Sequence, residues 1–178
     1  GQGKVVAMLI TSLGLTGVTN KPDIKTITAP QQLDGLRVSS FAQPSTTYTL
    51  LSELKRKHNL QKMEIVQAPF GAQLATLEAG RTDIATDIEP NVSIGEAKGY
   101  RRVLHLGQFH DRQAITGITT MDATIKDRPQ LVQKFVTALQ AAVGQMYRDP
   151  GISYAVAQKL YPQLEPKVVR RAVDVVLD

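Results

Sequence analysis

Apolar residues follow two rhythms along this chain. Short runs at "KVVAMLI" (4–10), "LRVSSF" (36–41), "MEIVQ" (63–67), "TDIATDI" (82–88) and "RRVLHLG" (101–107) predict strands. The first is continuous and rich in β-branched residues, which predicts a buried strand. Between the runs the spacing lengthens to three and four. Tyr48, Leu51 and Leu54, with Leu50 beside them, predict a helix over about 45–58. Lys55, Arg56 and Lys57 crowd its last turn, where the helix dipole favours cations. "FGAQLATLEAG" (70–80) predicts a helix closed by Gly80. "EPNVSIGEAKG" (89–99) predicts another, with Pro90 at its start and Gly99 at its end. This alternation of strand and helix predicts an α/β fold with a parallel or mixed sheet.

Two Gly-punctuated stretches, "GLTGVTN" (14–20) and "AITGITT" (114–120), read as extended. Residues 21–35 read as a loop with a short helical turn at 30–33. Beyond residue 120 the chain turns helical. Leu131, Phe135, Val136, Leu139, Val143 and Met146 share one face of a helix over 128–149, and shorter helices follow at 151–162 and 165–178.

Composition narrows the picture little. The 178 residues are 42% hydrophobic and 21% charged, ordinary for a globular protein and against disorder. No run of about 18 apolar residues predicts a membrane span. The absence of Cys excludes disulfides, zinc–thiolate sites and a Cys nucleophile. The net charge of +5 reads as a solvated surface, because the basic clusters at 55–58, 100–102 and 170–171 are short and not interleaved with aromatics. No nucleic-acid partner is expected.

Catalytic signatures are missing. His58, His105 and His110 are scattered, with no HExxH spacing and no GxSxG elbow, and no glycine-rich phosphate loop occurs. Asp83, Asp87 and Glu89 lie near one another along a strand and form a possible carboxylate cluster. The plainer reading is that Asp83 caps a turn and Glu89 begins a helix. No metal ligand set and no cofactor is expected.

Chemistry concentrates instead in "QPSTTYT" (43–49). Ser45, Thr46 and Thr47 follow Pro44 where a helix begins. A helix start leaves N–H groups unpaired and carries partial positive charge, so an oxyanion there can accept bonds from both N–H groups and hydroxyls. The same hydroxyls can instead serve as a plain N-cap, worth about 1 kcal/mol. On this segment alone the cap is the simpler reading.

Three blocks resemble one family over nearly the whole chain. They are Leu33–Asp34–Gly35 through Thr47, then Leu77, Ala79, Gly80, Asp83, Glu89 and Pro90, and then Pro129, Leu131, Val132 and Phe135. In order and spacing they resemble the nitrate/sulfonate/taurine-type solute-binding proteins of bacterial ABC importers. The resemblance implies a type II periplasmic-binding-protein-like fold with two α/β lobes joined by two hinge strands, at 15–20 and 114–120. Residues 21–113 would form lobe two, and 1–20 with 114–178 part of lobe one. It implies a non-enzymatic protein that captures a small anionic or polar solute and passes it to a membrane permease. Its location would be periplasmic, or extracellular with a lipid anchor. The matching positions imply a ligand site of Gln43, Ser45, Thr46 and Thr47 at a cleft-facing helix start. Asp87, Ile88 and Glu89 would lie on the opposite edge, and Thr16 and Thr119 near the hinge.

Two departures from the family pattern stand out. Ile88 occupies a position often aromatic in the family. The family's opening βα units have no counterpart before "KVVAMLI", so lobe one is expected only in part, with exposed sheet edge and apolar helix faces. Two other functions share this fold. One is the sensing domain of a LysR-type regulator, which would follow a DNA-binding helix pair that is not visible in this sequence. The other is a pyrimidine-precursor synthase, whose cysteine-rich motif is absent.

Overall fold

The computed structural model describes residues 2–11, 14–111 and 114–178. Contacts divide the chain into two bodies, Gly14–Asp111 and Gly1–Leu13 with Arg112–Asp178.

The first body is a mixed sheet flanked by helices. Its strands are β2 (Thr16–Thr19), β3 (Arg37–Phe41), β4 (Glu64–Ala68), β5 (Ala85–Asp87) and β6 (Arg101–His105). β3 and β4 pair in parallel, and β2 pairs antiparallel with both β5 and β6. A parallel bridge between Val38 and Ile84, with the Ser39 N–H donating to the Ile84 carbonyl at 2.9 Å, brings β3 beside β5. The strand order therefore reads β4-β3-β5-β2-β6. Residues 15–20 are expected from the sequence in the first lobe, as a hinge strand. Instead β2 lies inside this sheet, and the chain divides before Gly14 rather than after Asn20.

Helix α1 (Thr46–Lys57) connects β3 to β4, α2 (Gln73–Glu78) connects β4 to β5, and α3 (Asn91–Ala97) connects β5 to β6. Thr47, Leu50, Leu51 and Leu54 are buried, an i, i+3, i+4, i+7 stripe that turns one face of α1 inward. This corrects the expected stripe by one place, since Thr47 rather than Tyr48 takes the buried position. Val18, Leu74, Leu77, Ala85 and Val92 form a core cluster, with Ile94 and Tyr100 packed against it. At the amino ends of β3 and β5, Asp83 joins three segments. Its carboxylate accepts from the Arg37 N–H at 2.7 Å, from Arg37 Nη2 at 2.8 Å, and from Lys21 Nζ.

The second body holds β1 (Gly3–Ile10) and β7 (Thr116–Met121), paired antiparallel with two register shifts. Four helices follow, α4 (Asp122–Asp127), α5 (Pro129–Arg148), α6 (Pro150–Leu160) and α7 (Pro166–Leu177). The expectation that "KVVAMLI" is buried fails, because Val5, Met8, Leu9 and Ile10 are all exposed. Its one partner strand among the described residues is β7. Likewise α5 carries its apolar stripe without a buried residue. α6 and α7 pack on each other, where Arg170 stacks over the Tyr154 ring and Tyr154 donates to Asp174.

Candidate functional site

Strand order reverses at β3, which has β4 on one side and β5 on the other. In open α/β sheets, such a switch point leaves a crevice beyond the carboxyl ends of the strands. Register shows which residues meet there. Phe41 pairs with Ala68, and the Val38–Ile84 bridge, continued three residues, brings Phe41 about level with Asp87. Asp87 pairs with Thr16, and Thr16 with His105. Ala68, Phe41, Asp87, Thr16 and His105 thus form one row across the sheet edge, and α1 begins just beyond it.

Ser45 is the N-cap of α1. Its Oγ accepts from the Tyr48 N–H at 3.2 Å and donates to the Phe41 carbonyl at 2.9 Å. The plain capping role therefore holds for this hydroxyl. Thr47 is 1% exposed, so its side chain faces the core. Thr46 is exposed, as is Gln43, whose N–H donates to Gln67 Oε1 at 2.9 Å. As the first residues of α1, Thr46 and Thr47 have N–H groups with no intrahelical acceptor. What this helix start exposes is Thr46, with its N–H and its hydroxyl, rather than three hydroxyls, since Thr47 is buried.

The acidic residues bond within their own body. Asp87 is fully buried, and its carboxylate accepts from the Ile88 N–H at 2.8 Å and from Asn91 Nδ2 at 3.1 Å. Burial pushes its pKa up, against those two bonds. Glu89 accepts from Arg102 Nη2 at 2.7 Å and from the Ser93 N–H at 3.1 Å. Arg102 also reaches Glu96 at 2.7 Å. Burial alone would lower the Arg102 pKa, but Glu96 and Glu89 hold it up. Asp83 lies at the other end of β5, so the three carboxylates do not gather. For Asp83, burial alone would raise the pKa, but the bonds from Arg37 and Lys21 outweigh it and hold the carboxyl far below its usual range. Among the described residues no group of three or more His, Cys, Asp or Glu could hold a metal ion. Ile88 is half-buried beside them.

Thr16 is mostly buried on the edge row, while Thr119 belongs to β7 of the other body, where it is exposed. Sequence reading missed one edge residue. Phe70 follows β4, is 72% exposed, and stacks at 5.0 Å on Phe41. It had been placed inside a helix over 70–80, but α2 begins only at Gln73. "PFG" was the available signal, since Gly after an apolar residue marks a turn. A separate open groove of about 570 Å³ lies along α1, lined by Tyr48, Ser52, Lys55, Arg56 and Ile65 among others, and includes no residue of the edge row.

A family model described as NMT1/THI5 like matches residues 4–152. A search of curated proteins finds no match. Solved structures share the fold. The alkanesulfonate-binding protein SsuA from Xanthomonas axonopodis pv. citri, bound to MOPS, is 20% identical with a TM-score of 0.75 over 98% of this chain and 60% of its own. The periplasmic aliphatic sulphonate binding protein SsuA from Escherichia coli is 18% identical with a TM-score of 0.79 over the same shares. A ligand-binding component of an ABC-type import system from Staphylococcus aureus, solved with zinc bound, is 17% identical with a TM-score of 0.65, again over 98% and 60%. The chain thus spans about three fifths of the length of these proteins.

Proposed function

Because the chain belongs to the NMT1/THI5-like family, we propose that it is the solute-binding component of an ABC importer. It takes up a small anionic or polar solute, of the sulfonate, nitrate or taurine kind, outside the cytoplasmic membrane and delivers it to a permease. No chemical step on the solute is part of this reading. The observation that carries it is the carboxyl edge of the sheet. There Thr46, the first residue of α1, is exposed with its N–H and hydroxyl, while Glu89 is ion-paired with Arg102 and Asp87 is buried.

An anion over that helix start accepts bonds worth about 1.5–3 kcal/mol each. Three or four of them support micromolar affinity, about 8 kcal/mol. In the proposed mechanism bound solute shifts an existing conformational equilibrium toward the state that it contacts most fully.

The test is calorimetry on the intact polypeptide with nitrate, taurine and short sulfonates. Micromolar binding by at least one is expected, weakened about tenfold by Thr46→Ala, the loss of one bond to a charged group. Full affinity in that variant would remove the helix start from the site.

A further inference from the structure

Phe70 stands apart from the rest of its body. Every other large apolar side chain described in Gly14–Asp111 is buried or half-buried, whereas Phe70 is 72% exposed. Nor is it loosely held. The Ala72 N–H donates to the Pro69 carbonyl at 3.0 Å, closing a turn with Phe70 and Gly71 at its tip. Gly71 has φ +83°, as the third position of a type II turn requires. Beneath the turn Gln73 is fully buried, and its Nε2 donates to the Pro69 and Ala68 carbonyls at 3.2 and 3.3 Å. These bonds close the turn that carries the ring. The ring rests on Phe41 at 5.0 Å and a tilt of 37°, within the range of favourable aromatic pairs. Phe41 is the β3 member of the edge row and accepts the Ser45 hydroxyl at its carbonyl, so the backbone that carries the inner ring adjoins the start of α1.

We infer that Phe41 and Phe70 form an apolar platform that selects solutes with an apolar or aromatic body beside their polar head, and disfavours bare inorganic anions such as nitrate. This inference rests on the solute-binding reading proposed above. The head meets the N–H groups of α1, and the body covers the exposed ring. Each methylene laid on an apolar surface strengthens binding by roughly fourfold, the equivalent of about 0.8 kcal/mol.

The test is a calorimetric series of methane-, ethane-, propane- and butanesulfonate, with nitrate, on the intact polypeptide and on Phe70→Ala. Across the three added methylenes the affinity is expected to rise by roughly 50-fold in the native protein. In Phe70→Ala the rise should shrink to about fivefold or less, with methanesulfonate within about twofold of native. Phe70→Leu, which keeps an apolar side chain, should restore most of the gradient. Because the ring is exposed, the variants should keep the native circular dichroism spectrum. Nitrate binding more tightly than butanesulfonate would overturn the platform. An undiminished gradient in Phe70→Ala would also overturn it, and would assign the ring to a protein contact. In either case solute binding itself would stand. No binding by any member of the series or by nitrate would overturn both.

Discussion

Gly17 tests the strand order on which the site depends. It lies in the middle of β2, paired with Thr86 on one side and Leu104 on the other. A Cβ added there would lie 2.6 Å from Ile84 Cγ2 and 2.9 Å from Leu104 Cβ. Ordinary carbon contacts are about 3.5–4.0 Å, so both are about 1 Å too close. Neither neighbour has room to retreat, since Ile84 is 0% and Leu104 2% exposed. Overpacking of this kind costs about 1–3 kcal/mol. Replacing Gly by Ala in a strand returns roughly 0.5–1 kcal/mol of backbone entropy. Gly17→Ala should therefore destabilise by about 1–2 kcal/mol, lowering the thermal midpoint of a body this size by roughly 5–15 °C. Gly14→Ala is the control, because its added Cβ meets nothing within 4 Å. That variant should be neutral or slightly stabilising. The assay is thermal and urea unfolding followed by far-ultraviolet circular dichroism. Equal midpoints for the two variants would refute the placement of β2 between β5 and β6.

Gln73→Leu keeps the volume but removes the donor that binds the Ala68 and Pro69 carbonyls. It should cost about 1–3 kcal/mol in urea unfolding, and an unchanged midpoint would show that these bonds contribute nothing net. Asp87 and Asp83 should shift stability with pH in opposite directions. Burial raises the folded pKa of Asp87 above the unfolded 3.8, so the folded state binds its proton more readily. That contribution is fully present below 3.8 and lost as pH rises through the raised folded value. Asp87→Asn should therefore gain stability over the native protein as pH rises through that window, with Asn91 turning its amide to suit. Asp83 has its folded pKa far below 3.8, so its contribution is present above 3.8 and lost as the solution is acidified. Asp83→Asn should lose most stability near neutral pH and least in acid. Unfolding titrations from pH 3 to 7 read both signs, and the same slope for the two variants would refute the assignment.

Much of the first body could be read from the sequence, because its signals are local. The strands at 37–41, 85–87 and 101–105 and the helix at 46–57 arise within the expected segments, and the strand at 64–68 runs one residue past its own. Pairing is not local. Nothing within "GLTGVTN" says that it inserts between β5 and β6, and a strand in that position is as Gly-punctuated and extended as a linker. Six residues are too few to show a helical period, which is why α4 over Asp122–Asp127 was missed. At the site, the helix start and its cap were visible because they depend on neighbouring residues. The roles of Asp87 and Glu89 were not, since they depend on Asn91 and on Arg102, thirteen positions beyond Glu89. Arg102 had read as part of a surface basic cluster. Phe70 was hidden by an apolar run that fits a helix just as well as a turn.

Exposed apolar side chains carry different meanings in the two bodies. In Gly1–Leu13 with Arg112–Asp178 they are many and follow the elements. Val5, Met8, Leu9 and Ile10 lie along β1, and Leu131, Phe135, Val143 and Tyr147 lie along α5 at intervals of four or eight. Spacing of that kind marks a face shaped for packing, and Val168, Val169 and Ala172 are the only buried apolar residues described in that body. Patches of this sort reflect how a lobe is built, and no single residue in them is singled out. Gly14–Asp111 has a complete core, so an exposed ring there has no such explanation. Phe70 lies on a turn, outside any helical or strand period, and rests on Phe41. In a body that otherwise hides its apolar surface, a ring displayed beside Phe41 at the carboxyl edge of the sheet is best accounted for by what the edge binds.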